Sequence, residues 1–557
     1  MSPLAAETEL SPILLKLLAK RGFTDPAAIS RFLDAGLDTL HDPMAMYGMR
    51  EAVARVQKAC ENREQILIHG DYDADGITGS AIVMRTLEEL GASARVFLPN
   101  RKEDGYGVSE RAIRDAHANG VTLLVTVDCG ITAHRQIELA RNLGIDTIIL
   151  DHHKIPSQGQ PNATVVLNPL QEACAYPFKE LSAGGLAYKL SQALLGTKAH
   201  ELLDLTAIST VCDVAPLIDE NRVLVREGLK KISAAKNTGI AALLEVSNIR
   251  SRSLNASHLG FVLGPRINAA GRMSSPEFAL RLLITDHERE AASLAAVLNE
   301  ENKVRQREER QVVKDAIREV ERSVNFNRDR VLIIAGQGWH PGVIGIVASR
   351  LVDRYHRPAV VISIQDGVGK GSGRSVRGFN LFRALETCKD ILPEFGGHEQ
   401  AAGLTIPEAK IPLLRKRVNE FVRDVMEWNE TARTFEADLD IRLEDFTTTF
   451  VQELELLEPH GAGNARPLFR TTDLQLHTAP TLSRYQTIQF YVTGGGVCLE
   501  AVWPDRYWTP EMREDPKGCL GLKKGSACDL CYSVKRKERS GEDYLILEVR
   551  EIRPRRP

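Results

Sequence analysis

Three short apolar segments in the first third of the chain each run directly into acidic residues or histidines. Each segment is continuous and rich in β-branched residues, which is typical of a parallel strand buried on both faces. Because the carboxyl ends of parallel strands line one crevice, the polar residues that follow them are predicted to meet at one point. The three polar groups are His69-Gly70-Asp71-Tyr72-Asp73-Ala74-Asp75, then Asp128, then Asp151-His152-His153.

The carboxylates of these groups predict a metal site. So many like charges at one point repel one another unless cations offset them. Carboxylate oxygens combined with imidazole nitrogens suit Mn²⁺, Mg²⁺ or a related divalent ion. A single aspartate after a strand is more often a helix cap or a turn residue. A cap does not require several carboxylates with a histidine upstream, so the combination favours the metal site.

Length and composition indicate a protein of several domains. The 557 residues predict about three or four domains. The apolar fraction of 43% is ordinary, and no apolar run approaches the ~20 residues that span a bilayer. The N-terminal residues lack a basic segment followed by an apolar one, and the nine cysteines are scattered, so we expect a cytoplasmic protein. With a net charge of −3, any nucleic-acid partner has to be held by local positive patches and metals.

Cys528 and Cys531 are the only closely spaced cysteines. With Cys498 and Cys519 they would supply four ligands for a zinc ion. The spacing to those two residues is irregular, however, and the segment from Cys528 to Val534 also fits an ordinary strand. We therefore predict a strand.

The pattern of the chain changes several times along its length. Strands alternate with helical stretches up to about residue 235, which implies βαβ units and a parallel sheet. Residues 285–325 are strongly charged, with Ala and Leu at helical spacing, and predict one long helix that is either a connector or a solvated surface helix. A second α/β region follows. From about residue 430, short alternating strands predict a small β-barrel.

The chain resembles the DHH phosphoesterase superfamily in three features. They are the spacing His69-x-x-x-Asp73-x-Asp75, the later Asp128 and the intact Asp-His-His triplet. Asp213, in a helical region, matches a further superfamily element. The resemblance implies two metal sites that share Asp128. The other implied ligands are His69 and Asp73 for one ion, and Asp75, His152 and Asp213 for the other.

The resemblance also implies catalytic groups beside the metals. Asp128 belongs to them as the bridging ligand. Asp71 is expected close to the ions, as a neighbouring group or an alternative ligand. His153 is expected to contact the reacting phosphate or its water. Two metals about 4 Å apart lower the pKa of a shared water and bind both the attacking and the leaving oxygen of a phosphodiester.

Longer motifs resemble the RecJ family of single-strand-specific 5′ exonucleases and cover nearly the whole chain in the expected order. Two positions depart from the family pattern, since His460 stands where Phe is usual and Ala465 where Pro is usual. Both lie in one loop and question only its packing. The motifs are Arg101–Gly107, Leu263–Met273, Trp339–Arg350, Gly371–Ser375, Gly396–Gly403 and Leu457–Asn464.

This resemblance implies an α/β protein with a parallel-sheet DHH domain, a DHH-associated α/β domain joined to it by the long helix, and a C-terminal OB-type barrel. The expected parts are a helical segment (1–60), the DHH domain (61–235), a helical region with the connecting helix (236–328), the DHH-associated substrate-binding domain (329–428) and the nucleic-acid-binding barrel (429–557).

Substrate-binding residues are implied within the motifs. Gly371–Ser375 is predicted to fold as a loop around a phosphate, with a plain turn as the alternative. Trp339 is predicted either as a stacking platform or as a core residue. The full set is Arg101, Tyr106, Arg266, Asn268, Arg272, Trp339, His340, Arg350, Ser372, Arg374, Ser375, Gly397 and His398.

The function that the resemblance implies is hydrolysis of single-stranded DNA from 5′ to 3′ into 5′-mononucleotides, in DNA repair and recombination. It implies two divalent ions, Mn²⁺ or Mg²⁺, and a monomer without membrane contact. The implied partners are single-stranded DNA, a single-strand-binding protein and a helicase. One alternative is a nanoRNA or cyclic-dinucleotide phosphodiesterase, and another is a pyrophosphatase, but neither accounts for the barrel. A third is a non-catalytic replication scaffold, which would not retain every ligand.

Overall fold

The computed structural model describes residues 10–100, 107–249, 254–425, 436–483, 487–508, 521–539 and 542–555. They form two compact units. The first contains the described residues up to Asn302 together with Thr448–Arg466, and the second contains Lys303–Thr447 and the described residues from Pro467 onward. Thr448–Arg466 lies within the predicted C-terminal part but belongs to the first unit, so the boundaries of the five-part division stay a prediction.

Both units contain helices, and most of them belong to the first unit. A π-helix, Leu259–Leu263, runs directly into α12. The α-helices are α1 (Pro12–Lys20), α2 (Pro26–Asp34), α3 (Met49–Glu61), α4 (Ala74–Glu89), α5 (Glu110–Ala118), α6 (His134–Asn142), α7 (Ala183–Leu195), α8 (Leu203–Cys212), α9 (Asp219–Ser233), α10 (Thr238–Val246), α11 (Ala256–His258), α12 (Gly264–Met273), α13 (Glu277–Ile284), α14 (Glu288–Ser323), α15 (Ile344–Tyr355), α16 (Leu381–Glu386), α17 (Ile411–Val425) and α18 (Thr448–Glu455).

The first unit is built on a five-stranded parallel sheet, as predicted. Its strands are β1 (Gln65–Gly70), β2 (Ser93–Phe97), β3 (Val121–Val127), β4 (Asp146–Leu150) and β5 (Val165–Leu167). They lie in the order β2-β1-β3-β4-β5, and all pairs are parallel. The strand order reverses between β1 and β3, which is where ligands bind in open α/β sheets.

The predicted long helix is present as α14, which begins in the first unit and ends in the second. Helix α1 is capped by Ser11, whose hydroxyl accepts a hydrogen bond from the N–H of Leu14 at 3.3 Å. Helix α4 begins at Ala74, because Asp73 caps it. Within the described residues, no helix is both long and apolar enough to cross a bilayer.

The second unit contains a mixed five-stranded sheet. Its strands are β6 (Leu332–Gln337), β7 (Ala359–Gln365), β8 (Val368–Arg374), β9 (Glu394–Gly397) and β10 (Ala401–Pro407). Their order is β6-β7-β8-β10-β9, with β6 and β7 parallel and the other pairs antiparallel. The apolar side chains of β7 are almost fully buried in this sheet.

Strand β8 contradicts the prediction that Gly371–Ser375 forms a loop or a turn, because residues up to Arg374 pair with β7 and β10. Every second residue of the strand is a glycine that faces the core. A Cβ atom at Gly369, Gly371 or Gly373 would lie 2.7 Å, 2.8 Å or 2.6 Å from a core side chain. The glycines therefore provide close packing in a strand, and Ser372 and Arg374 alternate with them on the opposite face.

The C-terminal strands form the predicted OB-type barrel. They are β11 (Leu439–Asp440), β12 (Phe469–Leu476), β13 (Thr481–Leu482), β14 (Thr487–Gly494), β15 (Val497–Pro504), β16 (Ala527–Arg539) and β17 (Glu542–Pro554). Strands β12, β16, β17, β15 and β14 pair in sequence, and a pairing of β12 with β14 closes the barrel. Cys528 and Cys531 lie in β16, so the predicted strand is confirmed.

Candidate metal centre

The register of the parallel sheet brings the three polar groups to one level. The last residues of β1, β3 and β4 are paired with one another. The N–H groups of Asp71, Asp128 and Asp151 each donate to a carbonyl of the next strand, at 3.2 Å, 2.9 Å and 3.3 Å. The hydrogen-bond ladder thus continues one residue past the strands, and the three aspartates begin side by side.

The loop after β1 folds back onto the start of α4. Oδ1 of Asp73 accepts hydrogen bonds from the N–H groups of Asp75 at 2.9 Å and Gly76 at 3.1 Å, so Asp73 is the N-cap of the helix. A Cβ atom at Gly76 would lie 2.6 Å from the backbone of Asp71, so the close approach requires glycine. This fold places Asp71 and Asp73 beside Asp128.

Asp128 occupies the middle of the centre in a left-handed backbone conformation, with φ of +62°. Its side chain is buried, and among the described residues its Oδ1 has no hydrogen-bond partner. The nearest imidazole nitrogen, Nε2 of His152, lies 3.3 Å away without hydrogen-bond geometry and has no other partner within the described part of the chain. Two buried polar atoms that face each other without bonding are suited to a shared cation.

Asp75 is held at the start of α7. Its Oδ2 accepts from the N–H of Ala183 at 2.9 Å, and its Oδ1 accepts from the N–H of Gly184 at 2.9 Å and from the Ser209 hydroxyl. A Cβ atom at Gly184 would lie 2.2 Å from the oxygen of Ser209, so glycine is needed for this contact. The amides at a helix N-terminus stabilise a carboxylate.

His152 connects the remaining acidic residues. Its Nε2 lies 3.8 Å from Oδ2 of Asp75, and its Nδ1 lies 3.8 Å from Oδ2 of Asp213, which follows α8. Three overlapping groups of ligand atoms result, each with its atoms within 4.8 Å of one another. They are Asp71, Asp73 and Asp128; Asp75, His152 and Asp213; and Asp128, His152 and His153.

The electrostatics of the centre fit bound cations. Burial and the neighbouring Asp75 raise the pKa of Asp213 to about 9 and raise the pKa of Asp128 well above its usual range. Burial lowers the pKa of His152, which keeps its imidazole neutral and able to donate a lone pair. A divalent cation would remove the repulsion that raises the carboxyl pKa values, so the donor set suits Mn²⁺ or Mg²⁺.

His153 is oriented by the aspartate of its own triplet. Its Nδ1 lies 2.7 Å from Oδ1 of Asp151, and the other oxygen of Asp151 accepts from the N–H of Ile131 at 2.9 Å. This hydrogen bond raises the pKa of His153 to about 9. Burial opposes ionisation of Asp151, but the bond from His153 lowers the pKa of Asp151 overall. About half of the His153 side chain is exposed, so a cationic ring faces the solvent beside Asp128.

His69 lies in a different position from the other predicted ligands. It is fully buried, and its Nε2 accepts a hydrogen bond from the N–H of Ser109 at 3.1 Å. Among the described residues His69 belongs to none of the three ligand groups, whereas Asp71 joins Asp73 and Asp128. The assignment of His69 to the first ion stays a prediction, and the geometry favours Asp71 in that position.

In the second unit, Arg374 and Ser372 lie at the N-terminus of α15. Nη1 of Arg374 donates to the Ser372 hydroxyl at 3.2 Å. A Cβ atom at Gly345, in the first turn of α15, would lie 3.0 Å from that hydroxyl and 3.2 Å from Nη2 of Arg374. A helix N-terminus, a guanidinium and a hydroxyl together are a suitable anion site.

Other predicted contacts in this unit differ in exposure. Trp339 is 8% exposed and packs in the core, which favours the core interpretation over the stacking platform. His340 accepts from the N–H of Gly342 at 3.0 Å just before α15, and Arg350 is an exposed residue beside Glu309.

The remaining predicted residues of the second unit follow β8 and β9. The N–H of Ser375 donates to the carbonyl of Gln400 at 2.9 Å. Gly397 has φ of +136°, and His398 is exposed in the turn between β9 and β10. These residues stay predicted DNA contacts.

Helix α12 carries three predicted substrate-binding residues, and their described contacts are with other parts of the first unit. Nη1 of Arg266 donates to the carbonyl of Val262 at 2.8 Å, and Oδ1 of Asn268 accepts from the N–H of Ala74 at 2.8 Å. Arg272 opposes the rise in the pKa of Asp73 that burial and Asp75 cause. Arg101 and Tyr106 lie outside the described residues.

The sequence predicts Asp151 near the metals but no specific role for it, and it predicts neither Ser209 nor the contact of Asn268 with the loop Asp71–Asp75. The triplet that contains Asp151 was a usable signal, since an acid two residues before a histidine can reach its ring. Ser209 lies within a helix, and nothing in the sequence around it indicates a partner.

Three segments of the chain match known domain families. Residues 65–210 match the N-terminal domain of the DHH family, residues 328–424 match the DHHA1 domain, and residues 437–551 match the RecJ OB domain. The fold and the acidic centre therefore define a protein of the DHH class.

The sequence is similar to curated relatives over most of its length. It is 40% identical to the single-stranded-DNA-specific exonuclease RecJ of Bacillus subtilis over 83% of this chain and 59% of that protein. It is 36% identical to the protein of the same name from Escherichia coli over 89% of this chain and 91% of that protein. The chain belongs to the RecJ family, which confirms the resemblance.

Solved structures of a RecJ from Thermus thermophilus have the same fold. The structure in complex with Mn²⁺ matches with a TM-score of 0.83 and 29% identity, over 100% of this chain and 78% of that one. The structure in complex with Mg²⁺ matches with a TM-score of 0.77 and 28% identity, over 100% of this chain and 76% of that one. The expectation of Mn²⁺ or Mg²⁺ as cofactor is thus confirmed.

Proposed function

We propose that this protein is a metal-dependent exonuclease that hydrolyses single-stranded DNA. The observation that carries the proposal is the set of three overlapping carboxylate and imidazole groups at the carboxyl ends of the parallel strands. The names of the Bacillus and Escherichia relatives, and the Mn²⁺ and Mg²⁺ of the Thermus structures, support it.

The side chains of the centre have separable roles in this reaction. Divalent ions bound there would lower the pKa of a water and offset the charge of the phosphodiester oxygens. One ion would be held by Asp71 and Asp73, and the other by Asp75, His152 and Asp213. Asp128 lies between the two groups.

His153 acts on the substrate side of the centre. Its hydrogen bond to Asp151 keeps the ring protonated and fixes its orientation. The Nε2–H of this half-exposed ring would then donate to a phosphate oxygen and stabilise negative charge that develops on it. His153 is thus proposed as the donor that stabilises the transition state.

The finer features of the reaction are also proposals. Hydrolysis from 5′ to 3′ into 5′-mononucleotides, and a role in repair and recombination, are supported by the motifs that resemble the RecJ family. The anion site of Arg374, Ser372 and α15 supports a phosphate contact in the second unit. We propose a cytoplasmic monomer whose protein partners are a single-strand-binding protein and a helicase.

One assay tests the function. Single strands and duplexes labelled at either the 5′ or the 3′ end are incubated with the full chain and Mn²⁺, Mg²⁺ or a chelator, and product lengths are measured. We expect metal-dependent release of the 5′ label as a mononucleotide from single strands. Activity confined to dinucleotides or very short RNA would favour the phosphodiesterase alternative, and binding without cleavage would favour the scaffold.

A further inference from the structure

Helix α12 contacts the metal-binding loop Asp71–Asp75 at two points. Oδ1 of Asn268 accepts a hydrogen bond from the N–H of Ala74 at 2.8 Å. One turn further along, a Cβ atom at Gly271 would lie 2.3 Å from the carbonyl oxygen of Tyr72. The glycine therefore allows the helix to lie directly against the loop backbone.

The Asn268 contact completes the N-terminus of α4. The N–H groups of Asp75 and Gly76 are bound by Oδ1 of Asp73, and the N–H of Ile77 is bound by the carbonyl of Asp73. The N–H of Ala74 is the remaining donor of this first turn, and Asn268 supplies its acceptor from another helix. Asp73 consequently caps α4 with one carboxylate oxygen and keeps the other available.

Without Asn268 the Ala74 donor would be left without its acceptor. The Asp73 carboxylate caps the same turn and is therefore an adjacent acceptor, and it already belongs to the candidate ligand group with Asp71 and Asp128. Competition for that carboxylate would turn it away from a metal ion. The group of Asp75, His152 and Asp213 would not be affected, because the N-terminus of α7 and Ser209 hold Asp75 independently.

We propose that Asn268 is a positioning residue for the metal-binding loop, acting through the N–H of Ala74 to set the metal site of Asp71, Asp73 and Asp128. This inference rests on the metal centre of the proposed function. It gives the Leu263–Met273 motif a role in metal binding in addition to the predicted DNA contacts. Outer residues that orient metal ligands commonly change metal affinity by about 10–100-fold.

The test is a titration of the metal-free full chain with Mn²⁺ alone. Binding is measured by calorimetry and by electron paramagnetic resonance. We expect two classes of site in the wild type. Asn268→Leu should weaken one class by about tenfold and leave the other unchanged. Asn268→Asp retains an acceptor for Ala74 and should bind Mn²⁺ within about threefold of the wild type or more tightly.

Asn299→Leu is the matched control, because Asn299 also contacts α12, where its Oδ1 accepts from Nε of Arg266 at 3.1 Å, and within the described residues it has no hydrogen bond to the loop. It should bind Mn²⁺ as the wild type does. Equal affinities in Asn268→Leu and the wild type would overturn the inference, as would an equal loss in Asn299→Leu or in Asn268→Asp. If Asn268→Leu does not fold, Asn268→Ala is compared with Asn268→Asp by the same criterion. A wild type that binds no Mn²⁺ would instead refute the metal centre itself.

Discussion

Asp128 has two properties that determine how it should be mutated. It lies between the candidate metal groups, and its φ of +62° is a conformation that Asn and Asp adopt far more readily than Ala. Asp128→Asn removes the charge without adding backbone strain, whereas Asp128→Ala would combine the two effects. The asparagine variant is therefore the cleaner test of the bridging carboxylate.

We expect Asp128→Asn to reduce metal-dependent hydrolysis by more than about 100-fold, which exceeds the typical effect of residues outside the ligand shell. The pKa of Asp128 in the folded protein is raised, so the ionised side chain destabilises the metal-free fold increasingly as pH rises above about 4. The metal-free variant should accordingly be more stable than the wild type at pH 8. Asp146→Asn, an acid at the opposite end of β4, is the control and should retain activity. Substantial Mn²⁺-dependent activity in Asp128→Asn would rule out the bridging role.

His460, which stands where the RecJ family usually has Phe, predicts acid sensitivity of the first unit. Burial lowers the pKa of His460 to about 3, and Arg466 and Arg21 add to the effect. Its buried Nδ1 has no hydrogen-bond partner within the described residues. Because the folded pKa lies below the unfolded value of about 6.5, stability is present above pH 6.5 and is lost as pH falls toward 3.

His460→Phe should remove this pH dependence. At pH 5 the free energy of unfolding of the variant should exceed that of the wild type by about 2 kcal/mol. The gain should be smaller at pH 7.5, where it comes only from removal of the unpaired nitrogen. Urea midpoints at the two pH values measure the difference, and a gain that does not depend on pH would show that folding does not lower the pKa of His460.

At the scale of elements, β8 predicts a sharp contrast between two glycines of neighbouring strands. A Cβ atom at Gly371 would lie 2.8 Å from Leu404, whereas at Gly403 in β10 the nearest atom is 4.0 Å away. Gly371→Ala should lower the free energy of unfolding by about 1–3 kcal/mol through overpacking. Gly403→Ala should be neutral or slightly stabilising. Chemical denaturation of both variants tests the strand assignment, and equal midpoints would contradict it.

The opposite face of β8 carries the predicted phosphate contact. Arg374→Ala should weaken binding of single strands and reduce the dependence of log affinity on log salt by about 0.7, the value for one phosphate contact. Lys416→Ala, an exposed positive charge on α17, is the control with the same change in net charge. Binding is measured by fluorescence anisotropy in a chelator between low and moderate salt. An unchanged slope for Arg374→Ala would remove this residue from the DNA site.

The sequence was sufficient for the elements whose pattern is local. Buried strands of the parallel sheet appear as continuous β-branched runs, and their register follows from the sheet, so the meeting of Asp71, Asp128 and Asp151 could be predicted. Glycines misled the prediction in β8, because a strand that packs closely and a loop that turns sharply both favour Gly and Ser. The partners of Asp75 and Asn268 come from helices distant in sequence, and no local pattern encodes such contacts.

At the scale of the whole molecule, the structure shows at which residue the chain can be cut to remove the barrel and keep the first unit. Residues Thr448–Arg466 pack in the first unit, where Glu453 accepts from the N–H of Ser11 at 2.8 Å. Arg222 is buried and donates to three consecutive carbonyls of this segment, at 2.6–3.0 Å. A chain that ends at Arg466 therefore retains the first unit, while one that ends at Thr447 leaves the Arg222 guanidinium without these acceptors.

Removal of residues 467–557 should leave metal-dependent cleavage of very short oligonucleotides. It should sharply raise the concentration of long single strands needed for half-maximal rate, because OB-type barrels bind single strands through basic grooves and aromatic side chains. The shorter chain that ends at Thr447 should in addition be less stable by about 3 kcal/mol, from lost hydrogen bonds to a buried charge. Equal use of long strands by the full and truncated chains would assign the barrel to another role.

Because Thr448–Arg466 belongs to the first unit, the order of synthesis on the ribosome determines when that unit can complete its fold. The unit that carries the metal centre is interrupted after Asn302, and its last segment is translated about 160 residues later. At common elongation rates this interval lasts roughly 10–30 s. During that time the nascent first unit lacks the carbonyls that accept hydrogen bonds from Arg222. The unit that carries the candidate metal centre therefore completes its fold only after most of the second half of the chain has been made.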